Sequence, residues 1–170
     1  LWGCEGQDDY GTTHYYPLAD AETVRQVDRH TWPDGAAFDD FDGLADRIRQ
    51  AWGGRYAVRG PYWTSGPIFC TACNLMGMEE AMEKMMTRPA VFEAVAERVL
   101  AFSMTYVWRF LDACGRELDV LCLADDFATQ RGLMVDPRVW RKLLKPRYAR
   151  LFALGKERGL PIWFHSCVDI

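Results

Sequence analysis

The chain has 170 residues, of which 49% are hydrophobic and 26% charged, the composition of one soluble globular domain long enough to bury a core. Its apolar runs are short and interrupted by charges, which excludes a membrane span. A net charge of -4 argues against nucleic acid as the main partner, because neutralising phosphate needs a basic surface. Charge is unevenly spread: residues 1–50 hold eleven acids and four bases, whereas 138–158 hold eight bases against Glu157 alone. That basic segment reads either as a solvated helix face or as an anion site for a cofactor tail or partner. Six cysteines without framework spacing suit a reducing, cytoplasmic setting. There is no signal peptide, the first residue is Leu1, and the last residues close an apolar run, so 1–170 is expected to be a single incomplete domain cut at both ends.

In chain order, residues 1–36 are rich in Asp, Gly, Tyr and Thr and are expected to be loops with one short helix over Ala21–Asp28. Phe38, Phe41, Leu44, Ile48 and Trp52 recur at helical spacing, and Gly53-Gly54 closes that helix. A short strand is predicted over Arg55–Arg59, then a loop punctuated by glycine and proline to Pro67. From Ile68 the pattern is helical, breaks at Gly77 and resumes through Met78, Met82, Met85 and Met86, methionines read as core filler. Pro89, suited to a first helical position, opens a longer helix running to Gly115. Leu118–Ala124 is a nearly unbroken apolar run, as in a parallel strand buried on both faces. Asp136-Pro137 supplies an N-cap and Pro at N1 for a helix running to Gly159, which Pro146 must kink or restart because its nitrogen carries no proton. Leu160–Cys167 is the next strand. Strands alternating with helices at these lengths predict a right-handed parallel α/β arrangement, either open sheet or barrel.

Three places can carry chemistry. Along the last strand Trp163, His165 and Cys167 share one face, so an imidazole and a thiol stand where both can bind one zinc ion at about 2.0–2.3 Å. Catalytic zinc usually takes a third protein ligand, and the other reading is a buried strand end. Asp125-Asp126 follows the buried strand at its carboxyl end, where parallel α/β enzymes build their sites. Like charges there can raise one pKa and leave a general acid or substrate-holding group; alternatively one Asp caps the turn and the other faces water. Cys70 and Cys73 form a CxxC with no second pair, so they are either a chemical pair or small core-facing residues on a helix.

Taken together, Leu123–Met134 with its Asp125-Asp126, the later Trp140 and Lys145-Pro146-Arg147, and Phe164-His165-Ser166-Cys167 resemble the uroporphyrinogen decarboxylase superfamily, and most of all its zinc-dependent, corrinoid-linked methyltransferase branch. Ser65-Gly66-Pro67, Gly77, Pro89, Tyr16-Pro17-Leu18 and Trp32-Pro33-Asp34 are similar to the same superfamily, so the resemblance covers nearly the whole chain. It implies an incomplete (β/α)8 TIM barrel with its site at the carboxyl mouth. It also implies His165 and Cys167 as two zinc ligands, with a third cysteine beyond Ile170, Asp125 and Asp126 as catalytic carboxylates, and a corrinoid carried by a partner protein. The Lewis acid would activate a thiol acceptor or the methylated small-molecule substrate. Methanol, methylamines, aryl methyl ethers and thiols are all compatible. Departures are Val168 and Ala128 where the family commonly has glycine. The decarboxylases' arginine-rich motif and substrate-contacting tyrosine are also missing, Cys73 standing at the latter position. Tetrapyrrole decarboxylation without metal and non-catalytic binding of a corrinoid or corrinoid protein are the alternatives, and the isolated chain is expected to be inactive.

Overall fold

A computed structural model describes residues 2–7, 13–38, 40–52, 54–61 and 66–167. Ser65, Val168 and Gly53, singled out above, lie outside the described residues, as do Tyr62, Trp63 and Thr64 of the predicted loop.

The amino-terminal segment holds a hairpin, β1 (Glu5–Gln7) and β2 (Thr13–Tyr15), where only loops were expected. Helix α1 spans Val24–Asp28, shorter than its predicted range. Its start is fixed by a reciprocal cap: the Gln26 amide donates to Thr23 Oγ1 at 3.3 Å and the Thr23 amide donates to Gln26 Oε1 at 2.9 Å. Helix α2 covers Leu44–Trp52; Phe38 and Phe41 precede it and, rather than continuing the helix, lie edge-on to Phe102 and to Tyr106 and Phe110 respectively.

Strand β3 is Arg59–Gly60, later than predicted. The chain is still turning at Gly54 (φ 72°) and Arg55, whose amide donates to Trp52, so extension begins near Val58, where the Asp119 amide donates to the Val58 carbonyl at 2.8 Å. Helices α3 (Phe69–Met76) and α4 (Met78–Thr87) meet at Gly77, which adopts φ 82°. Of the methionines, Met76 and Met85 are buried, but Met78 and Met86 are exposed, so the core-filler reading holds for part of the set. Helix α5 (Pro89–Cys114) buries a stripe at Val91, Val95, Val99, Phe102, Tyr106 and Phe110 that forms the spine of the core.

Strand β4 (Val120–Ala124) is the middle of a parallel sheet of order β3-β4-β7, where β7 is Ile162–His165. Between β4 and β7 come a small hairpin, β5 (Ala128–Thr129) with β6 (Gly132–Leu133), and a composite helix. The composite helix opens as α6 (Pro137–Val139), capped by Asp136, whose side chain accepts the Arg138 amide at 2.7 Å. A π-helical turn follows over Trp140–Leu144, and α7 (Lys145–Lys156) restarts with Pro146 in its first turn.

Both crossovers deliver their helices to one face of the sheet. Helices α5 and α7 lie against each other, with Arg147 Nη2 3.2 Å from Glu93 Oε2 and Arg150 Nη1 2.8 Å from Glu97 Oε2. Arg147 is therefore buried between helices, not part of a solvated basic face. Strands added in chain order with helices on one side are singly wound; a doubly wound sheet reverses direction and uses both faces. Among the described residues β3 and β7 each pair along one edge, so the architecture is a partial parallel α/β layer and no closed barrel is formed.

Candidate metal centre

Register decides what meets at the carboxyl end of the sheet. Cys122 pairs with Trp163 and Ala124 with His165, so Trp163 and His165 face away from α7, and Ile162 and Phe164 face it. Phe164 packs against Phe127, Tyr148 and Phe152 on the helix side. On the other side the Arg59 guanidinium stacks 4.5 Å over the Trp163 ring and donates to Cys122 Sγ at 3.6 Å.

Beyond Trp163 on that face, His165 Nε2 lies 3.1 Å from Cys167 Sγ. Asp126 Oδ1 accepts the Cys167 amide at 2.7 Å, and the carboxylate, imidazole and thiol donors all lie within 4.8 Å of one another. Tetrahedral donors on zinc at about 2.0–2.3 Å stand roughly 3.5 Å apart, so the His165–Cys167 pair needs to open by only a few tenths of an ångström to share an ion. Nitrogen, sulfur and oxygen donors together suit zinc. Local desolvation, then the nearby Asp126 carboxylate, push the Cys167 thiol up from its ordinary value.

The two aspartates have different surroundings. Asp125 is buried, and its Oδ2 accepts the Ile68 amide at 2.9 Å, the Phe69 amide at 2.7 Å and the Tyr148 hydroxyl at 2.7 Å, while Oδ1 accepts the Cys70 amide at 2.8 Å. It seals the amino end of α3 and ties α3 to α7. Burial pushes its carboxyl up from the ordinary value, and the Cys70, Tyr148 and Phe69 donors pull the other way in part. The same burial, with Asp125 opposite, holds the Tyr148 hydroxyl well above its usual range. Asp126, one residue on, is turned toward His165 and Cys167. The alternation of a short extended segment separates the neighbours.

A cavity of about 120 Å³ lies between Gly66 and Cys70 on one side and Asp126, His165 and Cys167 on the other. A larger hollow of about 470 Å³ lies around Arg49, Arg116 and Arg158 at the opposite end of the strands, but the clustered donors are at the smaller one. Gly66 is required here: φ is 73°, and a Cβ would overlap Asp125 Oδ1 and come within 2.7 Å of Cys70 Cβ. Of the CxxC pair, Cys73 is buried in the core, its thiol pushed up to about 12 by burial, and Cys70 reaches the cavity. Tyr148 was not singled out from sequence. Its one signal is a hydroxyl in the apolar stripe Leu144, Tyr148, Leu151, since a buried phenol usually has a partner.

Neither protein-family models nor curated proteins match the chain. Among solved structures, its fold is similar to that of a methyltransferase from Methanosarcina mazei, with 20% sequence identity and a TM-score of 0.62 over 98% of this chain and 47% of that one. The chain thus has an α/β fold shared with a methyltransferase and spans about half of that protein's length. No helix among the described residues is long and apolar enough to cross a membrane.

Proposed function

We propose that the chain carries the metal-binding part of a methyl-transfer site in a (β/α)8 barrel of the uroporphyrinogen decarboxylase superfamily. His165 and Cys167 would hold zinc there, and the methyl group would pass to or from a corrinoid on a partner protein. The observation that carries this reading is the 3.1 Å approach of His165 Nε2 to Cys167 Sγ beside the Asp126 carboxylate, at the carboxyl ends of parallel strands. The fold shared with a methyltransferase supports it.

Zinc bound there would supply a Lewis acid that lowers the pKa of a thiol and so favours its nucleophilic form. The chain's own residues do the holding. Asp126 accepts the Cys167 amide and keeps the thiol turned to His165, and it offers an oxygen donor in addition to the later cysteine that the resemblance implies. Cys167 gives up its proton when it becomes a ligand. Asp125 acts at one remove, by fixing α3 and Tyr148 around the strand end.

The test is metal analysis and methyl transfer from methylcobalamin to a small thiol, on the longest protein that contains this chain. Zinc is expected at about one equivalent, and Cys167→Ala is expected to abolish both zinc and transfer, since too few donors remain. Unchanged zinc after that substitution, or turnover without zinc, would favour the tetrapyrrole decarboxylase or the corrinoid-binding barrel instead.

A further inference from the structure

We infer that Cys70 is a positioning residue: its side chain fixes the Asp126 backbone and, through the Asp126 carboxylate, the direction in which Cys167 faces His165. The inference rests on the metal site proposed above and adds to it a residue from another element. Cys70 Sγ accepts the Asp126 amide at 3.3 Å, and its S–H donates to the Asp126 carbonyl at 3.5 Å, so one side chain holds both sides of that residue's backbone. Asp126 Oδ1 in turn accepts the Cys167 amide at 2.7 Å. Cys70 has little freedom to move, because its own amide is bonded to Asp125 Oδ1 at 2.8 Å and Gly66 lies against its Cβ. The first turn of α3 therefore grips both aspartates: the Cys70 amide and side chain reach the Asp125 carboxylate, and the same thiol reaches the Asp126 backbone.

Sulfur hydrogen bonds are individually weak, so removing them should cost little stability. Outer partners of a metal ligand set geometry, and their loss typically costs about 10- to 100-fold in metal affinity. That contrast separates positioning from simple packing.

The experiment compares the longest protein that contains this chain with its Cys70→Ala and Cys70→Ser variants, using cobalt(II) as the metal probe. It reads the thiolate-to-cobalt absorption band, the affinity in competition with a chelator, thermal unfolding, and hydrogen exchange of the Cys167 amide by NMR without metal. Cys70→Ala is expected to unfold within a few degrees of wild type, to exchange the Cys167 amide about tenfold faster, and to bind cobalt about tenfold more weakly. Cys70→Ser should recover part of both losses, and it decides the matter if the alanine variant does not fold. Unchanged exchange and unchanged cobalt binding in a folded variant would overturn the inference. If the wild type shows no thiolate band, yet Cys70→Ala still releases the Cys167 amide, the metal reading fails and the positioning role stands.

Discussion

At Asp125 one carboxylate serves four donors, so Asp125→Ala leaves the Ile68, Phe69 and Cys70 amides and the Tyr148 hydroxyl without their acceptor. The expected cost is about 3 kcal/mol or more by chemical denaturation, against about 1 kcal/mol for Tyr148→Phe, which removes a single donor. Equal stabilities for the two variants would mean that water substitutes for the carboxylate. Buried thiols give a pH test. Burial holds Cys73 up to about 12 and Cys114 up to about 11, from an ordinary value of 9.0. Above pH 9 the unfolded chain releases these protons and the folded chain keeps them, so stability should fall as pH rises from 9 towards 12. Thermal unfolding across that range checks it, and a flat profile would show that both thiols reach solvent. His165 and Cys167 were legible together because strand alternation is local. Asp125 was not, since its partners lie about 55 residues upstream and 23 downstream, and two adjacent aspartates look alike until a helix end arrives at one of them.

The elements that announced themselves were those with punctuation: Pro89 opening α5, Gly77 dividing α3 from α4, Asp136-Pro137 starting α6, and the apolar run of β4. The hairpins β1-β2 and β5-β6 have strands of two or three residues, too short for an alternation to register. The restart at Pro146 was legible, but its form was not; a π-helical turn before it lets the Lys145 amide reach the Trp140 carbonyl and shifts the phase of α7. That phase presses Gly155 onto the sheet, where a Cβ would lie 2.6 Å from Ile162 Cδ1 and 2.7 Å from Leu121 Cδ2. Gly155→Val should therefore cost about 2 kcal/mol or more through overpacking, despite removing a helix glycine. A variant as stable as wild type would show that α7 can lift from the strands.

On the scale of the whole molecule, the outer edges of β3 and β7 are unpaired among the described residues. An apolar groove of about 450 Å³ opens beside β7, with Trp140, Phe152 and Phe164 along it, and Trp163 is 50% exposed on the other face. Edges and apolar surfaces of this kind invite association, so the 170-residue chain alone is expected to self-associate or need a partner. Sedimentation and cooperative unfolding test this; a stable monomer would mean that the edges are tolerated. The strand order also carries a timetable. Each new strand lies beside the one before it, so during synthesis β3 and β4 can pair before β7 exists, with α5 already formed between them. Asp125 then waits for Tyr148, and His165 and Cys167 arrive after both. Hydrogen exchange on ribosome-stalled chains that expose β4 but not yet β7 should already find the β4 amides that face β3 protected, which would place that strand pairing ahead of the donor cluster.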